Sequence, residues 1–191
     1  MAVTEAAIPR PCNDDVLRME RVIVLGCGGA GKSTLARKLS QLTGLPVIGL
    51  DAHFWNPGWI ETPADQWRER VRELSSRDQW IMEGNYAKTL DLRLPRADTV
   101  IFLDMPRRLC LWRVFKRRVQ YFGRTRPDMA PGCKEKIDWE FLLWIWRFRQ
   151  STRPQLLEAL ALAQRQGKRV HHLISRRQVR GFMKSLRNIA R

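Results

Sequence analysis

The chain of 191 residues predicts a single α/β domain of three layers, with a parallel sheet between two layers of helices. Short apolar runs rich in β-branched residues alternate with longer segments of helical periodicity, as expected for parallel strands joined by right-handed helical crossovers. The length is that of one domain, and the hydrophobic share of 44% is ordinary for a globular protein. The sequence contains no internal repeat and no linker between domains.

A glycine-rich turn between the first predicted strand and the first predicted helix is the strongest local signal. Residues 21–25 are apolar and β-branched, as in a buried strand. Residues 26–33 read Gly-Cys-Gly-Gly-Ala-Gly-Lys-Ser and match the phosphate-binding pattern G-x-x-x-x-G-K-[ST]. Leucines at helical spacing follow at Leu35, Leu39 and Leu42. Strand, motif and helix therefore stand in the order that a P-loop requires.

The composition of this P-loop suits the binding of nucleotide phosphates. Glycines let successive backbone N–H groups turn toward phosphate oxygens, and the helix N-terminus adds a partial positive charge. We expect Lys32 to reach the β- and γ-phosphates of ATP and the Ser33 hydroxyl to ligate Mg²⁺. The residues of the motif expected to bind the nucleotide are Gly26, Gly28, Gly29, Ala30, Gly31, Lys32, Ser33 and Thr34.

The second and third predicted strands are each followed by a carboxylate. Residues 46–50 precede Asp51, and residues 79–82 precede Glu83. Open α/β sheets bind their ligands at the carboxyl ends of the strands. Asp51 is therefore a candidate to accept a proton from an acceptor hydroxyl, or to bind the acceptor or a metal. Glu83 is a candidate carboxylate for Mg²⁺ or its waters, because a carboxylate that ends a buried strand would otherwise be costly.

An aromatic loop at residues 53–59 lies between these two strands. Its rings, Trp55 among them, either stack on a planar substrate or pack over the edge of the sheet. Thr62 is expected to cap the helix that begins at Pro63. The residues expected on the buried face of that helix are Trp67, Val71 and Leu74.

The fourth predicted strand, residues 99–103, is followed by Asp104, which the sequence favours as a helix cap over a metal ligand. The long helix that begins at Pro106 carries two stripes. The apolar stripe consists of Trp112, Phe115, Val119 and Phe122. The basic stripe consists of Arg113, Lys116, Arg117, Gln120 and Arg124.

Residues 121–134 are rich in Gly, Pro and Arg and are expected to form a lid that is ordered mainly when nucleotide is bound. Transferring phosphoryl groups favour arginine clamps, and four arginines flank or occupy this segment. They are Arg117, Arg118, Arg124 and Arg126.

Two helices and a strand complete the predicted domain. The helix at residues 138–149 is apolar nearly all round, so it is expected to be buried against the domain or against a partner, which leaves a dimer open. An amphipathic helix at 154–166 and a fifth strand at 169–174 follow. Ser175 is expected to cap the final helix, whose inward residues are Val179, Phe182, Met183 and Leu186.

The net charge of +16 is concentrated in the second half of the chain. Residues 1–104 contain 13 Lys and Arg against 14 Asp and Glu, whereas residues 105–191 contain 22 against 5. This asymmetry favours anionic partners, either phosphorylated small molecules or nucleic acid. The alternative is a solvated basic surface together with arginines that clamp phosphate.

The sequence also limits the compartment and the ends of the chain. No apolar run approaches the roughly 20 residues of a membrane-spanning helix, and no secretory signal is visible. The spacing of the cysteines is neither that of metal ligands nor that of a disulfide framework, so free thiols and a cytoplasmic location are expected. Residues 1–18 lack periodicity and are interpreted as a disordered extension, so that the start is either Met1 or Met19 and the domain covers residues 19–191.

Several further motifs occur together with the P-loop. They include Phe-Trp-x-Pro-Gly-Trp at 54–59, Glu-Gly-Asn-Tyr at 83–86, Asp-x-Arg-Leu at 91–94, Phe-Leu-Asp-x-Pro-Arg at 102–107 and Gly-Arg-Thr-Arg-Pro-Asp-Met at 123–129. In this combination the chain resembles the bacterial DNA topology modulation proteins, which are themselves similar to adenylate and shikimate kinases. The resemblance covers about residues 20–188.

The resemblance implies a nucleoside-monophosphate-kinase-like P-loop fold, with a five-stranded parallel sheet in the order 2-3-1-4-5 and a lid. By this analogy Glu83 stands where adenylate kinases have Asp, and Arg93 matches an arginine that binds the acceptor phosphate. Asn85 and Tyr86 would contact the acceptor. Arg176, in the loop that begins at Ser175, would border the base of the nucleotide.

The leading functional hypothesis is an ATP-dependent, Mg²⁺-using kinase that acts on a small molecule. GTP specificity is disfavoured because the sequence lacks an N-K-x-D motif. Two alternatives stay open: a nucleic-acid-associated protein regulated by ATP, and a kinase of polynucleotide ends. The sequence does not identify the acceptor.

Overall fold

Five parallel strands form the central sheet of the computed structural model, which describes residues 19–136 and 138–189. The expectations for residues 1–18 therefore lie outside the described residues. The strands are β1 (Arg21–Gly26), β2 (Val47–Gly49), β3 (Trp55–Asn56), β4 (Ile60–Glu61), β5 (Trp80–Glu83), β6 (Thr99–Leu103) and β7 (Arg169–Leu173). The order along the sheet is β2-β5-β1-β6-β7, and β3 and β4 form a separate small hairpin. Counting only the five strands of the sheet, this is the predicted order 2-3-1-4-5.

Helices flank this sheet and confirm the predicted α/β fold. They are α1 (Lys32–Thr43), α2 (Leu50–Phe54), α3 (Ala64–Ser75), α4 (Leu90–Arg93), α5 (Arg107–Gln120), α6 (Trp139–Ser151), α7 (Arg153–Arg165) and α8 (Arg176–Ile189). The central strands β1, β5 and β6 are almost completely buried, because helices cover the sheet and the apolar runs predicted from the sequence fill its interior.

Periodicity predicted the buried faces of two helices correctly. On α3, Trp67, Val71 and Leu74 are buried. On α8, Phe182, Met183 and Leu186 are buried and Val179 packs against the same core. Ser175 caps α8 as expected, since its hydroxyl accepts a hydrogen bond from the Gln178 backbone N–H at 3.2 Å.

Thr62 and Asp104, both predicted to cap helices, have other roles. The Thr62 hydroxyl donates to the carbonyl of Phe54 at 2.6 Å, and no side chain caps α3. Asp104 caps no helix either: one carboxylate oxygen lies 2.8 Å from Arg153 Nε and 3.0 Å from His172 Nε2. Arg153 and His172 come from elements distant in sequence, which local patterns cannot reveal.

The boundaries around the second strand also differ from the prediction. Leu50 begins helix α2 and does not continue β2, so Asp51 lies in the first turn of that helix. The segment 53–59 was predicted as a loop, but it contributes to a two-stranded antiparallel hairpin in which Trp55 pairs with Glu61. The hairpin therefore fixes the position of Trp55.

The apolar stripe of α5 lies on the protein surface. Its members Trp112, Phe115, Val119 and Phe122 are between 56% and 72% exposed. Helix α6 is buried on one face only, through Ile145 and Phe148, while its Trp139 is 76% exposed. Among the described residues, no helix is both long and apolar enough to cross a lipid bilayer.

Candidate active site

The P-loop joins β1 to α1 and leaves the first turn of α1 without a side-chain cap. Gly31 at its end has a φ of 104°, a left-handed conformation that favours glycine. At Gly29 a side chain is excluded by packing as well, since a Cβ there would lie 2.4 Å from the carbonyl oxygen of Cys110. The backbone N–H groups at the start of α1 are therefore available for an anion.

Two cations contact the carbonyl groups of this loop. Lys32 Nζ donates to the Cys27 carbonyl at 3.2 Å, which places the lysine across the loop. Arg113 Nη1 donates to the carbonyls of Gly29 and Ala30 at 3.2 and 2.8 Å. The sequence indicated Arg113 only as one member of a basic stripe, and its contact with the P-loop was not predicted.

Arg113 also interacts with Arg176, which the resemblance predicts to border the base of the nucleotide. Burial, followed by the neighbouring positive charge of Arg176, lowers the pKa of Arg113. The two guanidinium groups are therefore close enough to interact, although Arg176 itself is exposed. This places the N-terminus of α8 on the same side of the molecule as the P-loop.

Ser33 and Glu83 meet at the carboxyl ends of β1 and β5. The Ser33 hydroxyl donates to Glu83 Oε1 at 2.9 Å, and Glu83 is only 4% exposed. Burial raises the pKa of Glu83, Lys32 lowers it, and Asp51 and Asp128 raise it further. Mg²⁺ binds oxygen ligands and usually retains waters and substrate phosphates, so a hydroxyl beside a buried carboxylate fits this ion.

Asp51 is held by Tyr86. The phenol of Tyr86 donates to Asp51 Oδ1 at 2.7 Å. Burial and the nearby Asp51 carboxylate raise the pKa of Tyr86, so the phenol stays protonated and acts as the donor. Tyr86 has a φ of 35°, which is uncommon for a residue with a bulky side chain and costs free energy unless the surroundings enforce it.

Arg93 enforces this conformation of Tyr86. The resemblance predicts that Arg93 binds the acceptor phosphate, but its side chain lies inside the protein. Its side chain is fully buried, and its guanidinium donates to the carbonyls of Gly84, Asn85 and Tyr86 at 3.2, 2.5 and 3.2 Å. Burial lowers the pKa of Arg93 to about 10, so it remains protonated at neutral pH. Arg93 thus fixes the segment after β5 from inside the protein, with its guanidinium turned toward the backbone.

Asn85 likewise holds the backbone of the site. Its side-chain oxygen accepts from the Gly26 N–H at 3.0 Å and joins the end of β5 to the start of the P-loop. The resemblance had led us to expect a contact with the acceptor at this position. The observed bond spans 59 positions in sequence, which explains why no local pattern indicated it.

An aromatic cluster lies beside Asp51. Phe54 is at its centre, with ring centroids 5.0 Å from Trp55, 5.1 Å from Trp67 and 4.9 Å from Tyr86. Trp55 is half-buried and also contacts Trp59 at 5.4 Å. Packing over the domain, one of the two alternatives left open by the sequence, is confirmed for Phe54, whereas stacking of Trp55 on a planar substrate stays a prediction.

The arginines around the predicted lid converge on Glu135, a residue that sequence reasoning missed. Glu135 is 3% exposed, and its two carboxylate oxygens lie 2.7 Å from Arg117 Nε and 2.6 Å from Arg126 Nε. Arg118 donates to the Glu135 backbone carbonyl at 2.5 Å. Glu135 is one of only two acidic residues in the basic stretch 105–137, and that isolation is the signal the sequence offered.

The lid segment, defined here as residues 121–134, packs against the β3–β4 hairpin. Trp59 Nε1 donates to the Lys134 carbonyl at 2.9 Å, and the Gly58 N–H donates to the Gly132 carbonyl at 3.4 Å. A small apolar cluster joins the two parts and consists of Met129, Ala130, Cys133, Trp55 and Trp59. The predicted change in order with nucleotide stays a prediction.

Arg124 and Arg126 occupy different environments within the lid segment. Arg126 is 9% exposed and pairs with Asp128 at 3.2 Å as well as with Glu135. Arg124 is exposed, and its backbone carbonyl accepts from the Glu135 N–H. The structure therefore brings Arg117 and Arg126 together around one carboxylate and leaves Arg124 in solvent.

Solved structures of P-loop kinases share this architecture. A shikimate kinase from Acinetobacter baumannii, in complex with shikimate, is 18% identical over 93% of this chain and 96% of that chain, with a TM-score of 0.55. A shikimate kinase from Bacteroides thetaiotaomicron is 18% identical over 90% and 98%, with a TM-score of 0.52. A gluconokinase from Sinorhizobium meliloti 1021 is 17% identical over 90% and 93%, with a TM-score of 0.51.

Comparison with protein-family models and with curated proteins gives no match. The resemblance to DNA topology modulation proteins is not shown by the comparisons, whose structural matches are kinases of small molecules. At these identities the matches establish the fold. The chain has the α/β fold of P-loop kinases, with the P-loop, Glu83 and Asp51 at the carboxyl edge of its sheet.

Proposed function

We propose that this protein is a phosphotransferase that moves the γ-phosphoryl group of ATP to a hydroxyl group of a small acceptor. The observation that carries the proposal is the meeting of Lys32, Ser33 and Glu83. The hydrogen bond between Ser33 and Glu83 joins the P-loop to the neighbouring strand β5, and Lys32 is close enough to Glu83 to influence its pKa. A P-loop with a carboxylate from a neighbouring strand beside it is the arrangement used for phosphoryl transfer.

In this proposal the P-loop binds and orients the triphosphate. The N–H groups of the first turn of α1 and the Lys32 ammonium bind phosphate oxygens, and Arg113 and Arg176 lie on the nucleotide side. Ser33 and Glu83 would hold Mg²⁺, which supplies charge neutralisation to the phosphates when bound. The exposed Arg124 of the lid segment would stabilise the charge of the transferring group.

Asp51 is assigned the role of proton acceptor. The acceptor oxygen forms a bond to the γ-phosphorus, the bond from that phosphorus to the bridging oxygen of ADP breaks, and the hydroxyl proton passes to Asp51. Tyr86 occupies one oxygen of this carboxylate and orients the other. Asp51 and Glu83 interact electrostatically, so the proton acceptor and the proposed metal ligand belong to one site.

The test is phosphoryl transfer from ATP with Mg²⁺, measured on the wild type and on Lys32→Ala. Loss of the ammonium should lower kcat by at least about 100-fold, because removing a preorganised charge from such a site costs two or more orders of magnitude. Lys38→Ala, at an exposed lysine on α1, is the matched control. Equal ATP affinity and equal turnover in Lys32→Ala and the wild type would refute the proposal.

A second candidate, a nucleic-acid-associated ATP-binding protein, is favoured by one observation. The exposed face of α8 carries only basic charges: Arg176, Arg177, Arg180, Lys184 and Arg187. A protein that neutralises several duplex phosphates loses affinity steeply with salt, with a slope of about −0.9 per contact. Submicromolar DNA binding that persists at physiological salt, without phosphorylation of any acceptor, would favour this candidate over the kinase.

A further inference from the structure

We propose that the acceptor is a neutral, hydroxyl-rich small molecule, such as a sugar or polyol, and not a phosphate ester or a carboxylic acid. This inference rests on the proposed kinase function and specifies its second substrate. It comes from the groups that surround Asp51: a carboxylate, aromatic rings and a buried arginine that cannot reach the acceptor.

The first argument is the position of Arg93. An anionic acceptor needs a cation with free donors, and arginine is favoured for phosphate and carboxylate because of its planar fork. Arg93 has the position in sequence for this task, but its side chain is fully buried and three backbone carbonyls accept its hydrogen bonds. Turning it toward an acceptor would break these bonds and release the strained backbone of Tyr86.

Two arginines of α3, the helix that carries Trp67, are also engaged. Arg68 forms an ion pair with Asp91 at 2.7 Å, and Arg70 donates to the His53 carbonyl at 2.8 Å. Burial, followed by the positive charges of Arg70 and Arg77, lowers the pKa of His53, which is therefore neutral at pH 7. Lys32, which is close to Glu83, is assigned to the phosphates of ATP.

The charges that do face this region are negative. Asp51 follows Gly49 by two positions, and a Cβ on Gly49 would lie 3.6 Å from Glu83 Oε1 and 4.0 Å from the Asp128 carbonyl, so three acidic residues gather here. Arg126, in the lid segment, already pairs with Asp128 and Glu135, and Arg124 is assigned to the transferring phosphoryl group. An acceptor with its own negative charge would meet these carboxylates, and like charges brought together repel each other.

The remaining surface matches hydroxyl groups and C–H bonds. A free oxygen of Asp51 accepts hydrogen bonds from hydroxyl groups, as charged acceptors bind neutral donors strongly. The half-buried ring of Trp55 offers a flat apolar face for the C–H side of a sugar-like molecule. T-shaped contacts with Phe54 and Trp59 hold this ring, at 5.0 and 5.4 Å between ring centroids.

The lid segment further limits the size of the acceptor. It contacts Trp55 and Trp59 through Met129, Ala130 and Cys133, and Cys133 Sγ donates to the Asn56 carbonyl at 3.2 Å. These contacts cover the hairpin that carries Trp55. We therefore expect the acceptor to be a small molecule and not the end of a polynucleotide.

The test compares matched acceptors with the full-length protein, ATP and Mg²⁺. Each neutral compound is paired with its acid or phosphate: glucose with gluconate and glucose 6-phosphate, ribose with ribose 5-phosphate, and adenosine with AMP. We expect the best acceptor to be neutral and to exceed its charged partner at least tenfold in kcat/KM. A charged compound as the best acceptor would overturn the inference and leave the kinase function intact.

Variants at Trp55 test the aromatic face separately. With the best neutral acceptor, Trp55→Leu should raise the KM for the acceptor at least fivefold and leave the KM for ATP unchanged, whereas Trp55→Phe should retain most of the affinity. Trp112→Leu, at an exposed tryptophan of α5, is the matched control. An unchanged acceptor KM in Trp55→Leu would contradict the proposed stacking.

The two proposals fail in different ways. ATP binding is followed independently by calorimetry on the wild type and Lys32→Ala. If ATP binds and no neutral acceptor in the panel is phosphorylated, while a charged one is, the substrate class is wrong. If ATP does not bind, or binds equally to the wild type and Lys32→Ala, the kinase proposal is wrong. The inference about the acceptor, which rests on it, is then wrong as well.

Discussion

Two groups of aromatic residues in this protein have opposite environments. The cluster around Phe54 is packed against the core and lies beside the carboxylate of Asp51. The stripe on α5 is exposed, and cations lie over its rings: Lys116 Nζ is 5.4 Å from the Trp112 ring and the Arg118 guanidinium is 4.6 Å from the Phe122 ring. The first group has acidic and fixed surroundings, and the second has basic and solvated surroundings.

The difference shows that aromatic content alone does not indicate a binding site. In the sequence both groups consist of aromatic and apolar residues. Those on α5 recur at helical spacing, which is the more regular pattern, whereas Phe54, Trp55 and Trp59 lie in a short segment without periodicity. Only the cluster has a carboxylate, a strained backbone position and a buried cation beside it. A strained backbone position and buried charges cost free energy, so the surrounding structure must enforce them. Such groups of features cluster at functional sites.

The largest effect that would separate the two regions comes from Asp51→Asn. The amide keeps the shape and the bond with Tyr86 but loses the ability to take a proton. We expect kcat to fall by about 100-fold or more while thermal stability stays close to that of the wild type. The measurement is steady-state transfer together with a thermal melt, and Asp65→Asn, at an exposed aspartate of α3, is the control. Unchanged turnover in Asp51→Asn would remove the chemical distinction between the two aromatic regions.

The next effect concerns the buried cation behind the cluster. Arg93→Met leaves three backbone carbonyls without their donor, so the free energy of unfolding should fall by about 3 kcal/mol. Arg68→Met removes an exposed ion pair and should cost no more than about 1 kcal/mol. Urea unfolding of both variants measures the contrast. Similar losses for the two variants would mean that Arg93 is no more important to the fold than a surface arginine.

The smallest effect compares one phenylalanine from each region. Phe54→Ala removes a ring that contacts three other aromatic residues and should cost about 2 kcal/mol, since Phe54 is only partly buried. Phe115→Ala removes a ring that is 65% exposed and should change stability by less than about 0.5 kcal/mol. The same unfolding experiment gives both values. A large loss in Phe115→Ala would show that the stripe on α5 is covered in solution.

The fold was predictable from local sequence patterns because each strand, helix and turn is specified by residues close to one another. The P-loop between residues 21–25 and Leu35 indicated the first strand and the first helix. The alternation of strands and helices along the rest of the chain predicted the parallel sheet. Ser33 and Glu83 could be named because each stands at the end of a recognisable element. Their hydrogen bond follows from the parallel pairing of β1 and β5.

The functions of Arg93, Arg113 and Glu135 could not be derived in the same way. Each side chain meets partners from another element, such as Arg113 with the carbonyl of Gly29, which lies 84 positions away. A charged residue in the sequence reveals neither its burial nor its partner. Asp104 illustrates the same limit. An aspartate that follows a strand can cap the next helix or form an internal ion pair, and the sequence does not distinguish the two; here it pairs with Arg153 and His172.

The close contact between Gly29 and Cys110 has a consequence for how the lid can move. Because a Cβ on Gly29 would already overlap the Cys110 carbonyl, the first turn of α5 cannot approach the phosphate-binding loop any further. The base of α5 is therefore held in place beside the P-loop. If the lid segment rotates, as the sequence predicts, we expect the rotation to arise beyond the last turn of α5, at Gly123, which has a φ of 70° and open space beside it.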